Sequence, residues 1–126
     1  LSALGVTTAS PLRRDDRALI WQVTNFATGC SPEACIYTFN IFGAGTTNTP
    51  GFSTSCNGTD LQTDYTPCDN GSLQAILTPE TYPLWNIKVL HAWTKGEAEY
   101  YDLGQVNITE TVTNFTIPVT EEYGVA

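Results

Sequence analysis

The 126-residue sequence has no methionine, a single histidine and very few positively charged side chains. Five Lys and Arg stand against 13 Asp and Glu, for a formal net charge of −8, and only Lys88 and Lys95 follow residue 17. Binding to nucleic acid needs several Lys or Arg contacts with phosphate groups, so we expect no nucleic-acid partner. Long apolar runs and basic amphipathic segments are also missing, so we expect no membrane insertion.

Helical periodicity is absent as well, and the composition favours strands and turns. Charged residues make up only 14% of the chain, whereas 20 Thr and 8 Asn are present. Thr suits strands because of its β-branching, and Asn suits turns. Short segments of alternating polarity follow one another from Leu19 onward. The sequence predicts an all-β fold, a compact antiparallel β-barrel or β-sandwich of about seven to nine strands.

The chain length predicts one domain, which we place at residues 19–126. Residues 1–18 are predicted to form a flexible leader, because they are rich in small residues and resemble the end of a signal peptide or a short pro-segment. Arg13 and Arg14 form a dibasic site that a secretory protease could cut. A leader that is never processed is the alternative.

The alternation also predicts which side chains share a face. In residues 19–26, Trp21 and Val23 fall on one face and Phe26 on the other. Residues 27–35 are predicted to connect this strand to a second one at residues 36–42, as a hairpin. In the longest predicted strand, residues 84–93, one face combines five side chains: Trp85, Ile87, Val89, His91 and Trp93.

Four cysteines predict two disulfide bonds. The favoured pairing is local, Cys30 with Cys35 and Cys56 with Cys68, because each pair flanks a turn-rich loop that it would hold. Pairing of Cys30 or Cys35 with the second loop is the alternative. The spacings are not those of zinc sites and no His cluster accompanies them, so we expect structural disulfides and no metal.

Four N-glycosylation sequons are present, at Asn57, Asn70, Asn107 and Asn114. The strand pattern directs the apolar neighbours of Asn107 and Asn114 inward and the two asparagines outward. Together with the even number of cysteines, the sequons predict a secreted, extracellular glycoprotein.

No catalytic group of residues is evident, and we predict no enzyme activity and no cofactor. His91 falls on the apolar face of its strand, which favours a buried structural histidine over a general base. Glu97 and Glu99, near Asp102, are interpreted as a solvated edge rather than as the carboxylate pair of a glycosidase. Three acidic residues of the second cysteine loop are interpreted as a solvated loop rather than as a cation site: Asp60, Asp64 and Asp69.

Five segments resemble the Alternaria major-allergen family of secreted fungal proteins. They are Ile-Trp-Gln-Val-Thr-Asn-Phe at 20–26, Pro-Glu at 32–33, Tyr-Thr-Phe-Asn-Ile at 37–41, Phe-Ser-Thr-Ser-Cys at 52–56 and Tyr-Thr-Pro-Cys at 65–68. The resemblance covers about residues 19–77, although that family's C-terminal cysteine pair is missing and Cys30 and Cys35 occupy the first hairpin loop instead. It implies a compact β-barrel or sandwich with a bridge between Cys56 and Cys68.

The resemblance also implies a function as a secreted fungal effector, closest to the hypersensitive-response-inducing elicitors of plant-pathogenic fungi. The expected partner is a plant surface or apoplastic protein, and the expected state is a monomer or weak homodimer. A cell-wall carbohydrate-binding module or weak glycosidase, with Trp85 and Trp93 as a stacking platform, is one alternative. A small-ligand carrier in a β-barrel is another. The loops at residues 43–50 and 57–71 are the expected recognition surface.

Overall fold

The computed structural model describes residues 19–46, 49–81, 84–109 and 111–125. The predicted leader at residues 1–18 lies outside the described residues. All regular structure in the described residues is β-strand, which confirms the all-β prediction. No helix in this part of the chain is long and apolar enough to cross a membrane.

Eight antiparallel strands form one sheet in the described part of the chain. They are β1 (Ile20–Cys30), β2 (Cys35–Gly43), β3 (Phe52–Thr59), β4 (Thr66–Pro67), β5 (Leu73–Pro79), β6 (Leu84–Lys95), β7 (Ala98–Thr109) and β8 (Phe115–Val125). Their order across the sheet is β3-β2-β1-β8-β7-β6-β5-β4, and the sheet curls into a nearly closed barrel. The barrel is therefore the correct one of the two predicted architectures.

Strict alternation of buried and exposed residues builds the barrel core. In β2, Tyr37, Phe39 and Ile41 are all buried, and the residues between them are exposed. Burial of such apolar side chains is the main stabilising contribution to a domain of this kind. The core consists of sixteen side chains: Trp21, Val23, Phe26, Tyr37, Phe39, Ile41, Phe52, Cys56, Cys68, Leu73, Ala75, Leu77, Ile87, Val89, Ile108 and Ile117.

One predicted face is wrong, because β1 contains a β-bulge that sequence alternation does not reveal. Asn25 lies in the bulge with a φ of 57°, a conformation that Asn tolerates better than most residues. The extra residue reverses the alternation, so that Phe26 points into the core with Trp21 and Val23. There it packs edge-on against Phe115, with ring centroids 5.5 Å apart.

The first hairpin is also longer than predicted. β1 continues to Cys30 and β2 begins at Cys35, so the predicted nine-residue connection at 27–35 shrinks to a turn at residues 31–34. The backbone N–H of Ser31 donates to the carbonyl oxygen of Ala34 at 2.8 Å, and the Ser31 hydroxyl donates to the Glu33 carboxylate at 3.0 Å. The disulfide between Cys30 and Cys35 joins the two strand ends directly above this turn.

The second disulfide closes the barrel. Cys56 lies on β3 at one edge of the sheet, and Cys68 follows β4 at the other edge. Beside it, the N–H of Asp69 donates to the Ser55 carbonyl at 2.9 Å, and the N–H of Asn70 donates to the Thr54 hydroxyl at 2.8 Å. The local pairing is confirmed, but this bond joins two edges of the sheet rather than only holding a loop.

Candidate functional site

A row of titratable residues crosses the inside of the barrel. His91 on β6 lies opposite Asp102 on β7, and Asp102 lies opposite Glu122 on β8. His91 and Asp102 are buried, which confirms the predicted burial of His91, whereas Glu122 is half-buried. The row therefore runs from the barrel core toward its surface.

Aromatic rings surround the imidazole of His91. Phe52 and Trp93 each lie 4.7 Å from it, centroid to centroid, and Trp21 lies at 6.4 Å in an edge-on orientation. A His beside a carboxylate is the pair that orients a general base in hydrolases, but a base must also reach its substrate. The aromatic enclosure favours a packing role for His91.

The acidic residues considered as a glycosidase pair do not come together on one face. Glu99 and Asp102 lie three positions apart on β7, so Glu99 points outward and Asp102 inward. The Glu99 carboxylate accepts a hydrogen bond from the Tyr101 hydroxyl at 2.5 Å, and Glu97 lies in the turn between β6 and β7. The predicted neighbourhood of Glu97, Glu99 and Asp102 is therefore split between two sides of the sheet.

Two carboxylates of the acidic loop accept backbone hydrogen bonds, one from the start of β2 and one from within the loop. Asp60 accepts a hydrogen bond from the N–H of Cys35 at 3.0 Å, and Asp64 accepts one from the N–H of Tyr65 at 2.7 Å. Within the described ranges, no group of three or more His, Cys, Asp or Glu side chains is arranged to hold a metal ion.

The two tryptophans proposed as a sugar platform point toward the inside of the barrel. Trp85 is half-buried against the core, and Trp93 stacks between His91 and Tyr100, with centroid distances of 4.7 and 5.7 Å. They are eight positions apart on β6, which is roughly 27 Å along a strand. That separation is too long for both rings to stack on one sugar residue.

The most distinctive outer feature combines tyrosines and carboxylates, and we call it the tyrosine surface: Tyr65, Glu99, Tyr101, Glu121 and Tyr123. Tyr101 on β7 and Tyr123 on β8 are direct partners in the sheet and both point outward. Their rings stack with centroids 5.0 Å apart and an interplanar angle of 20°. The bonded Glu99 carboxylate fixes the Tyr101 hydroxyl at one end of the pair.

The pKa values of two tyrosines of this surface are raised, one mainly by a carboxylate and one mainly by burial. The hydrogen bond to Glu99 raises the pKa of Tyr101, because ionisation would place two negative charges side by side. The pKa of Tyr65 is raised first by its partial burial and then by the nearby Tyr123, Glu121 and Asp64. Tyr65, although it belongs to the loop before β4, therefore lies close to β8.

A small pocket of about 210 Å³ adjoins the tyrosine surface. Tyr65 and Glu121 line it together with Lys88, Leu103 and Gln105. An exposed aromatic ring beside carboxylates attracts a cationic group through both the ring face and the charge. The tyrosine surface is thus suited to a positively charged ligand with some apolar surface, whereas Lys88 balances the charge of Glu121 in the pocket itself.

In contrast to the tyrosine surface, the outer side of β1, β2 and β3 is uncharged. None of these three strands contains a charged residue. Their outward side chains include Asn40 and Ser55, which are joined by a hydrogen bond of 2.6 Å. Two shallow grooves lie on this side, one of about 370 Å³ with polar walls and one of about 510 Å³ with mainly apolar walls. We call this side the neutral face.

The two loops predicted as the recognition surface differ in how much they contribute to the tyrosine surface. Of the predicted loop at 57–71, residues 57–59 belong to β3, residues 68–70 form the barrel seam, and Tyr65 reaches the tyrosine surface. The loop at 43–50 is described except for residues 47–48, and Thr49 is buried there. Sequence reasoning missed the pairing of Tyr101 with Tyr123, although the outward alternation of Glu99, Tyr101 and Leu103 was a usable signal.

All four sequon asparagines are exposed: Asn57, Asn70, Asn107 and Asn114. Three of them accept hydrogen bonds through Oδ1. Asn70 accepts one from the Ser72 hydroxyl at 2.9 Å, and Asn107 accepts one from Asn86 at 3.0 Å. Asn114 accepts one from the N–H of Asn25 at 3.3 Å. The outward orientation predicted for Asn107 and Asn114 is confirmed, and glycosylation stays a prediction.

Comparison of the chain with family models, with curated proteins and with solved structures finds no match.

Proposed function

We propose that the protein is a secreted, non-enzymatic fungal elicitor that binds a plant surface or apoplastic protein and thereby induces defence or cell death. The observation that carries this proposal is the tyrosine surface, an exposed aromatic and acidic patch on a rigid barrel. The two disulfides are compatible with an extracellular protein. The proposal of a plant host rests on the resemblance of residues 19–77 to secreted fungal proteins.

The tyrosine surface has the chemistry of a protein contact site. Tyrosine is enriched among the residues that contribute most to binding, because it buries a large rigid area and keeps a polar hydroxyl. The adjacent Glu99 and Glu121 would favour a partner segment that carries Lys or Arg. The formal charge of −8 would also attract such a partner over a distance, and salt would weaken this attraction.

The proposal is tested by infiltrating the purified, folded chain into leaves and measuring the oxidative burst, defence-gene induction and necrosis. We expect a response to the wild type and a reduction of at least about tenfold with Tyr101→Ala combined with Tyr123→Ala, the effect of losing about 1.4 kcal/mol of binding. The matched control is Asn40→Ala with Ser55→Ala, another bonded outward pair, which lies on the neutral face.

Two results would contradict the proposal. No response to the folded wild type at micromolar dose would refute the elicitor function. An equal response to the wild type and to the tyrosine double variant would leave the tyrosine surface without a role in recognition. Circular dichroism of both double variants verifies that each still folds.

Binding of a cell-wall polysaccharide is a second candidate, favoured by the stacked pair of Tyr101 and Tyr123 beside the Glu99 carboxylate. Aromatic rings bind sugars through their faces, and carboxylates bind the hydroxyl or amino groups. Titration with chitin, glucan and chitosan oligosaccharides, monitored by isothermal titration calorimetry, distinguishes the two functions. Saturable binding that is lost in the tyrosine double variant, without any leaf response, would favour the polysaccharide.

A further inference from the structure

The larger groove of the neutral face has mostly apolar walls. It measures about 510 Å³ and lies across β1, β2 and β3, between Gly29, Ile36 and Gly58. Ile36 is 60% exposed, which makes it one of the most exposed large apolar side chains in the described residues. Covering this apolar side chain would remove it from water and stabilise whatever group packs on it.

One wall of this groove belongs to a glycosylation sequon. In the pairing of β2 with β3, Asn57 lies opposite Thr38 and Thr59 lies opposite Ile36. Because neighbouring side chains alternate across a strand, Asn57 and Thr59 both point outward, and Asn57 lines the groove. Asn57, to which a sugar can be attached, therefore lies beside the exposed Ile36.

A glycine on β1 explains why the groove has room. Gly29 is the direct partner of Ile36 in the pairing of β1 with β2, and an added Cβ would lie 3.9 Å from the Ile36 side chain. Because Gly29 has no side chain, the apolar side of Ile36 stays open to the groove.

We propose that Asn57 carries an N-linked glycan whose first N-acetylglucosamine lies in this groove and covers Ile36. In the transfer, Asn57 Nδ2 bonds to the anomeric carbon of an oligosaccharide held on a polyprenyl diphosphate. The carbon–oxygen bond to the diphosphate breaks, the lipid diphosphate leaves with the electron pair, and one amide proton passes to a base. The C–H face of the sugar then packs on the apolar wall, as apolar surfaces do in water.

The other sequons lack this arrangement. Asn70 lies in the loop before β5, and its Oδ1 is bonded to Ser72. Asn107 accepts a hydrogen bond from Asn86 on the outer side of β6 and β7, and Asn114 accepts one from the N–H of Asn25. A glycan at Asn57 would cover the neutral face and leave the tyrosine surface open. The inference shares with the proposed function only the passage through the secretory route.

The test uses the full chain secreted from yeast behind a yeast signal peptide, trimmed with an endoglycosidase that leaves one N-acetylglucosamine at each occupied site. Peptide mass spectrometry is expected to find Asn57 with one added sugar residue. In methyl-labelled protein, we expect nuclear Overhauser effects between this sugar and the Ile36 methyl groups, which requires no variant.

A stability comparison gives an independent measurement. The thermal midpoint of the trimmed wild type is expected to exceed that of Asn57→Gln by several degrees. As the control for the substitution itself, both proteins are also produced without glycans, and their midpoints are then expected to be equal. An Asn57 peptide without sugar overturns the proposal, and so does a sugar at Asn57 that shows no contact with Ile36. No plant response enters this test, so its failure is distinct from failure of the elicitor proposal.

Discussion

Cys56 and Cys68 are bonded across the seam of the barrel, so that one disulfide joins the first and last edges of an eight-stranded sheet. Both cysteines are buried in the core beside two seam hydrogen bonds, from Asp69 to Ser55 and from Asn70 to Thr54. The bond therefore acts on the closure of the whole fold, whereas the bond between Cys30 and Cys35 acts on one turn.

We expect Cys56→Ala with Cys68→Ala to lower the free energy of unfolding by about 3 kcal/mol or more, since the ring it opens is the larger one and the seam loses its link. Cys30→Ala with Cys35→Ala, the matched control, should cost about 2 kcal/mol, because it opens only a short ring at one hairpin end. Denaturant unfolding curves of both double variants measure the difference. Equal losses would show that the seam does not depend on its disulfide.

The Tyr37 hydroxyl is buried, and no group in the described part of the chain forms a hydrogen bond with it. A buried polar group without a partner costs about 1–3 kcal/mol. Tyr37→Phe keeps the ring and its stacking on Phe39, so we expect it to raise the free energy of unfolding by about 1 kcal/mol. A lower midpoint in urea for Tyr37→Phe would reveal a hydrogen bond to the hydroxyl.

Alkaline pH should destabilise the fold through the same residue. Burial raises the pKa of Tyr37 above its ordinary value of 10.0, so the folded state keeps the proton after the unfolded chain has lost it. The contribution of Tyr37 to the free energy of unfolding is therefore fully present below about pH 10. It falls by up to about 1.4 kcal/mol per pH unit as the pH rises toward the pKa of the folded state.

The measurement is the urea midpoint as a function of pH, with tyrosinate absorbance recorded on the same samples. Tyr37→Phe should have a shallower alkaline loss, and a residual loss is expected because the pKa of Tyr65 is also raised. Parallel profiles for the wild type and Tyr37→Phe would exclude Tyr37 as the source.

Gly104 on β7 is a position at which the barrel wall has no room for a side chain. A Cβ there would lie 2.7 Å from the Pro118 carbonyl oxygen and 2.9 Å from a methyl group of Ile117. We expect Gly104→Ala to lower the free energy of unfolding by about 1–3 kcal/mol, because backbone of β8 must move. Gly71→Ala is the control, since no atom lies within 4 Å of its Cβ position. Similar thermal midpoints for the two variants would argue against tight packing of β8 on β7.

Much of the strand pattern could be predicted because alternation is a local property. The inward positions of β2 and the burial of His91 followed from the apolar residues at every second position. Phe26 could not be placed in this way, since the bulge at Asn25 depends on how β1 pairs with its neighbours. One extra residue exchanges the two faces of a strand.

The candidate site was less accessible to sequence reasoning than the core. Tyr101 and Tyr123 are separated by a whole strand connection, and only the register of β7 against β8 brings them into contact. Glu99 and Asp102, which are close in sequence, lie on opposite sides of the sheet. Outward residues are not selected by burial, so their neighbours are determined by register alone.

The sequence by itself determined the all-β class, favoured the two local disulfides and indicated the inward residues of the regularly alternating strands, because polarity alternation and cysteine spacing act over short stretches of chain. The tertiary structure alone decided that the sheet closes as a barrel, that Cys56 and Cys68 lie at its seam, and that the tyrosine surface and the neutral face are separate. These features depend on strand order and stagger, which are set by contacts between residues far apart in the sequence.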